Sequence, residues 1–221
     1  MSRYIRLLQL STFSEEKLHI LQSKKVLLVG VGGVGQYVAT SLVTNGVTQL
    51  TIVDFDKVEL SNLNRQILLN EDDIGKKKVE VVKKELEKKN STAEIKALEM
   101  KVTKENVDQL VQGYDVVIDA VDNWETKLVL GESCARHKIP FLHIGVDGNR
   151  GQYCLFETKS LLDVFGLDIK KEPRDGVTGP MVGVIASMAA LHLLKYLVGD
   201  SPSDTLYYFD SQNEKFGSTK I

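Results

Sequence analysis

Residues 26–29 are an apolar run with no polar alternation, the pattern of a strand covered on both faces. A glycine cluster, Gly30, Gly32, Gly33 and Gly35, follows directly. Val34, Val38, Leu42 and Val43 then recur at helical spacing as far as Gly46, which predicts a helix with a glycine stop. Residues 49–53 predict a second strand ending on Asp54. Further on, the pattern predicts a helix to about residue 89 with Val79, Val82 and Leu86 as its buried stripe. Strands follow over 94–100, 115–120, 140–146 and 151–157, with a short helix over 106–111 and a longer one over 124–137. Residues 159–179 lack periodicity, carry Pro173, Arg174 and Asp175, and predict a mobile crossover loop. Gly179 and Pro180 open a strongly apolar helix. Residues 206–209 are the last predicted strand, and the tail from Asp210 reads as polar. At the other end, residues 1–22 predict a helical segment, with Ser14, Glu15 and Glu16 as a helix start and Leu18 and Leu21 on its apolar side.

Strands alternating with helices predict an α/β fold, Rossmann-like and doubly wound, with a mainly parallel sheet and an antiparallel C-terminal extension. The whole chain, 1–221, reads as one unit. Its length suffices for a substantial core. A net charge of −2 gives no global basic field to attract nucleic acid or a membrane surface. Residues 181–198 are nearly long enough to span a bilayer, but His192 and Lys195 interrupt them, so a buried helix is expected. No signal peptide is visible, and the two cysteines, Cys134 and Cys154, suggest buried apolar positions rather than a disulfide framework. A cytoplasmic location is expected.

Strand, glycine turn and helix in succession are the context of a nucleotide-binding loop. Glycines admit a phosphate to the backbone, and a helix start offers free N–H groups. Asp54, at the end of the second strand, stands where an acid commonly takes ribose hydroxyls. The polar stretch after it places Asn62, Arg65 and Gln66 at the carboxyl end of that strand, facing the nucleotide. Lys78, in the first turn of the next helix, is the lysine of its run best placed for a phosphate. Asp122 follows the strand over 115–120. A carboxylate near a triphosphate requires a cation and so implies Mg²⁺, while an N-cap aspartate is the structural alternative. Of the four histidines only His143, within a strand near this site, is a candidate.

Taken together, Arg3–Arg6, the glycine loop, Thr51–Asp56, Leu60–Gln66, Gly75–Glu80, Asp122–Asn123 and Gly179–Ile185 resemble, in order and over nearly the whole chain, the ThiF/MoeB/HesA family, bacterial relatives of ubiquitin-activating enzymes. The resemblance implies a homodimeric adenylyltransferase that binds ATP with Mg²⁺. Its substrate would be the C-terminal carboxylate of a protein or peptide, often a ubiquitin-like sulfur carrier ending in Gly-Gly. Gly30, Gly32, Gly33 and Gly35 would cradle the nucleotide. Asp54 would bind ribose, Asn62, Arg65 and Lys78 would contact the phosphates, Asp56 and Gln66 would also bind the nucleotide, and Asp122 would hold the metal. Arg6 would reach across the dimer into the second copy's site.

Three departures stand out. The chain has no Cys-x-x-Cys pair, so no structural zinc is expected. No cysteine precedes Gly179 in 172–178, which argues against a thioester or persulfide step there. Lys127 stands where the family commonly has arginine. Three other readings remain: adenylation of a tRNA-linked carboxylate, an NAD-binding oxidoreductase or sensor, and a silent binding module. Arg65, Lys78 and Asp122 argue against NAD, because hydride transfer has no use for a triphosphate clamp.

Overall fold

The computed structural model describes residues 2–166 and 176–221. Eight strands make one sheet in the order β3-β2-β1-β4-β5-β6-β7-β8. They are β1 (Lys25–Val29), β2 (Gln49–Asp54), β3 (Glu94–Glu99), β4 (Val116–Asp119), β5 (Phe141–Asp147), β6 (Arg150–Phe156), β7 (Thr205–Asp210) and β8 (Lys215–Lys220). The first five are parallel, and β6, β7 and β8 are added antiparallel, as the fold class predicts.

Both faces of the parallel sheet are covered, which is why its central strands are mainly apolar. Helices α3 (Gly33–Thr44), α4 (Lys78–Lys89) and α8 (Gly179–Leu197) enclose one core with Val26, Leu28, Ile52, Ile118 and Leu142. Helices α5 (Val107–Val111), α6 (Trp124–His137) and α7 (Leu161–Phe165) enclose the other with Leu27, Val29, Val53, Val117 and Phe141. Helix α8 is long and apolar enough to cross a membrane, but about half of it is buried within the chain. Its small residues Ala186, Ala189 and Ala190 are fully buried. Cys134 and Cys154 are both buried free thiols, pushed up to about 12 mainly by burial.

The N-terminal segment is two helices, α1 (Ile5–Leu8) and α2 (Glu15–Ser23). Ser14 caps α2 by accepting from Lys17 N–H, and Leu18 and Leu21 are buried as their spacing predicts. Helix α1 is tied to the end of α4: Arg3 donates to the Lys89 carbonyl, and Asn90 Nδ2 donates to the buried Tyr4 hydroxyl at 3.0 Å.

Two expectations need correction. The tail after Asp210 is not merely polar; it returns as β8, antiparallel to β7. Its residues are almost all exposed, with Phe216 stacked on Tyr207 of β7, so backbone pairing carries most of the strand and no apolar period announces it. The expected crossover loop contains α7, capped by Ser160 and Asp163 in a reciprocal capping box. The rest of that expected loop, residues 167–175 with Pro173, Arg174 and Asp175, lies outside the described residues.

Candidate active site

In the order β3-β2-β1-β4-β5, the connections leaving β1 and β4 go to opposite faces of the sheet, opening a crevice at their carboxyl ends. A cleft of about 1560 Å³ lies there and runs from the glycine loop past β4 and β5 to the carboxyl end of β7. Gly30, Gly32, Gly33, Asp54, Asp56, Asn62, Arg65, Gln66, Lys78 and Asp122 all line it.

The glycines divide by purpose. Gly30 has φ +90° and abuts the Ala120–Val121 backbone, where a β-carbon would lie 2.7 Å from the Ala120 carbonyl oxygen. Gly35 does not line the cleft; a β-carbon there would strike the Gly30 carbonyl. It closes the loop on itself instead of facing a nucleotide. Gly33 packs under Val182 and Arg65. Gly32, which caps α3, is the glycine with open space in front of it: its nearest neighbour is the Gln66 amide nitrogen at 3.9 Å.

Asp54 holds the loop as well as facing the cleft. Its carboxylate accepts from Val31 N–H at 2.9 Å and from Asp56 N–H at 2.8 Å. Asn62 likewise anchors its own turn by accepting from Glu59 N–H. Gln66 is buried, and its carbonyl accepts from Gln36, a fully buried residue of α3 that also donates to Val31 O. Arg65 forms part of one wall, its guanidinium donating to Ser61 O and Asn64 Oδ1, both at 2.9 Å.

Lys78 is the first residue of α4, and its side chain is only 7% exposed. A buried cation at a helix N-terminus opposes the helix dipole. Here Lys78 Nζ is met by Asp56 Oδ2 at 2.8 Å. Asp122 sits exposed in the turn between β4 and α6. The cap of α6 is Asn123, whose Oδ1 accepts from Thr126 N–H at 2.9 Å, so the N-cap alternative for Asp122 falls. Arg6 is exposed on α1, bonded to Gln9, and does not line this cleft.

Sequence reading missed two groups. One is an apolar shelf of Phe55, Met100 and Val102 beside Asp54, with the Lys101 ammonium 5.9 Å from the Phe55 ring centre. Its signal was the carboxyl end of β3, which opens on the same crevice as β2. The other is a fully buried carboxylate, Asp119, at the end of β4. Lys127 Nζ and His143 Nδ1 both lie 2.9 Å from its Oδ2. Burial pushes the Asp119 carboxyl up, but Lys127 and His143 outweigh it and hold the group below the usual carboxylate range. Burial, aided by Lys127, holds His143 below its ordinary 6.5. The face of Trp124 covers the His143 ring.

The ThiF family model matches residues 4–221. The chain belongs to that family. It is 33% identical over 213 residues to the vegetative HesA protein of Trichormus variabilis, covering 91% of this chain and 77% of that one. It is 30% identical over 230 residues to the molybdopterin-synthase adenylyltransferase of Salmonella typhimurium, covering all of this chain and 92% of that protein. The adenylyltransferase and sulfurtransferase MOCS3 of Aedes aegypti is 32% identical over 234 residues, and the chain spans about half its length, 53%. Among solved structures, E. coli MccB with MccA-N7isoASN shares the fold at a TM-score of 0.90 and 23% identity, over 100% of this chain and 72% of that one. MccB with ATP matches at 0.84 and 24%, over 93% and 66%.

Proposed function

We propose that this chain is an ATP-dependent adenylyltransferase, activating the C-terminal carboxylate of a ubiquitin-like sulfur carrier or peptide ending in Gly-Gly. The observation that carries the reading is the convergence of Gly32, Arg65, Lys78 and Asp122 on one cleft at the sheet's switch point. The names of the molybdopterin-synthase and ThiS adenylyltransferases, 30% and 31% identical, support the reaction class.

The reaction joins two anions. The substrate carboxylate attacks the α-phosphorus of ATP, the α–β phosphoanhydride bond breaks, and pyrophosphate leaves. A carboxylate is already ionised at neutral pH, so no general base is needed. Catalysis is then positioning plus stabilisation of charge on the phosphate oxygens. Lys78 and Arg65 supply two cations from this chain. In the proposed homodimer Arg6 of the second copy supplies a third, consistent with its exposure on α1 away from its own cleft. Among the described residues no group of three His, Cys, Asp or Glu could hold a metal by itself. Mg²⁺ takes one or two carboxylates and otherwise binds phosphate oxygens and water, so Asp122, one of several carboxylates lining the cleft, fits it. Asp122 would hold it, and the ion would neutralise phosphate charge. The absence of a structural zinc and a cytoplasmic location remain part of the proposal.

ATP–pyrophosphate exchange tests it. Exchange is expected on adding a sulfur carrier with a C-terminal Gly-Gly and is expected to vanish when the carboxylate is amidated. Exchange with the amidated carrier would refute the assignment. A tRNA-linked carboxylate would instead give exchange only with tRNA, falling steeply with salt.

A further inference from the structure

The turn that carries Asp122 is fixed from beneath. At its start, Ala120 N–H donates to Val29 O at 2.9 Å, tying it to β1. At its end, Asn123 caps α6. Between these, Val121 N–H donates to Asp119 Oδ1 at 3.2 Å. The carboxylate is therefore divided: Oδ1 faces the turn, and Oδ2 faces Lys127 and His143. Lys127 is itself located by a second bond, to Ile144 O at 2.8 Å. Trp124, first in α6, stacks on His143 with ring centres 5.7 Å apart. Three elements, β4, β5 and α6, thus converge on one buried carboxylate, and its free oxygen grips the residue before Asp122.

Stability alone gives a weak reason for this arrangement. Replacing a buried ion pair by apolar residues of similar volume is often neutral or stabilising, because desolvation offsets the attraction. Fixing a geometry is a better-founded use for such a group. We infer that Asp119, oriented by Lys127 and His143, is a positioning residue that sets the Val121–Asn123 turn and so presents Asp122 to Mg²⁺. The inference rests on the reading of Asp122 as the Mg²⁺ residue. Asp119 lines no part of the cleft itself; it acts through the turn.

An isosteric swap exposes the mechanism. In Asp119→Asn, the Lys127 ammonium requires oxygen on its side, which turns the amide NH₂ toward Val121 N–H. The turn then meets a donor where it had an acceptor. Lys127→Met leaves Asp119 held on the Oδ2 side by His143 alone, and Lys127→Arg restores a cation there. The readout is calorimetric ATP affinity of the full chain, measured with and without Mg²⁺, whose ratio is the metal-dependent gain. Asp122→Asn serves as reference and is expected to abolish that gain. Asp119→Asn and Lys127→Met are expected to lower it by about tenfold, in the range found when partners of a metal ligand are removed. Lys127→Arg should recover most of it, and metal-free ATP affinity should hold within about twofold in Asp119→Asn, since Asp119 does not line the cleft.

Loss of the gain in Asp122→Asn with no change in Asp119→Asn and Lys127→Met would overturn the inference and leave the metal reading standing. An unchanged gain in Asp122→Asn would remove the metal reading itself. Should Asp119→Asn unfold, the triple variant Asp119→Leu/Lys127→Met/His143→Phe removes the network without leaving a lone buried charge. That variant is expected to fold and to have lost the metal-dependent gain. A folded triple variant with the full gain would contradict the inference.

Discussion

Gly30 and Gly32 sit two residues apart in one loop, and the structure expects opposite consequences from the same added methyl. In Gly30→Ala the β-carbon enters at φ +90° against Ala120 O, Ala120 C and Val121 N at 2.7–2.9 Å, all backbone atoms. The left-handed conformation alone costs roughly 1–2 kcal/mol. Overpacking against atoms that cannot rotate away adds about 1–3 kcal/mol. Ala120 is held by its bond to Val29 O, so relief is limited. A loss of about 3 kcal/mol lowers the Tm of a chain this long by about 6–12 °C. In Gly32→Ala, φ is −73° and the nearest atom is a movable side-chain nitrogen at 3.9 Å. The weaker cap costs about 1 kcal/mol or less, or about 2–4 °C. Its methyl, however, projects where a phosphate must meet backbone N–H groups. Losing one charge-assisted hydrogen bond of about 1.5–3 kcal/mol weakens ATP by about 10- to 100-fold. Thermal unfolding and ATP calorimetry on both variants check this. A Gly32→Ala protein that binds ATP normally, or a Gly30→Ala protein as stable as the parent, would refute the division of roles.

Lys78→Met should weaken ATP by about tenfold or more, through loss of one charged phosphate contact, while Tm changes little because its partner Asp56 is solvent-accessible. A large fall in Tm without loss of affinity would make Lys78 structural. In the proposed homodimer, Arg6→Ala and Arg65→Ala chains should each be impaired alone. Mixed, they should recover part of the exchange activity, because one site of the mixed dimer is then intact; no recovery would place Arg6 outside the reaction. Acid should destabilise the fold through His143. Its folded pKa lies below 6.5, so its contribution is complete above that value and is lost as pH falls toward the folded pKa. His192 shifts the same way, so His143→Asn should flatten part of the Tm slope below about pH 6.5, not all of it. An unchanged slope would show that His143 does not titrate in that window.

The sequence made the parallel half of this protein legible because burial on both faces leaves apolar runs, as at 26–29 and 116–118. The cleft followed from topology: Asp54, Lys78 and Asp122 each stand at a strand end or helix start, where function and local pattern meet. Strand β8 was illegible because exposed side chains on both faces carry no period. Short α7 had a signal in Ser160 and Asp163, but five residues are too few for helical periodicity. Asp119 was hidden for a different reason. It ends an apolar strand one turn before Asp122, and only the register β4 to β5, pairing Asp119 with His143, reveals why a charge is tolerated there. Gly35 illustrates the converse: it belongs to the fingerprint, yet its space is taken by the Gly30 carbonyl rather than offered to a ligand.

The most direct test of the central claim is a calorimetric titration of the purified chain with Mg-ATP and, separately, with NAD. Saturable Mg-ATP binding that Arg65→Ala weakens, with no heat from NAD, is the expected result. NAD binding without an ATP response would contradict the adenylation reading and reduce the cleft to a dinucleotide site.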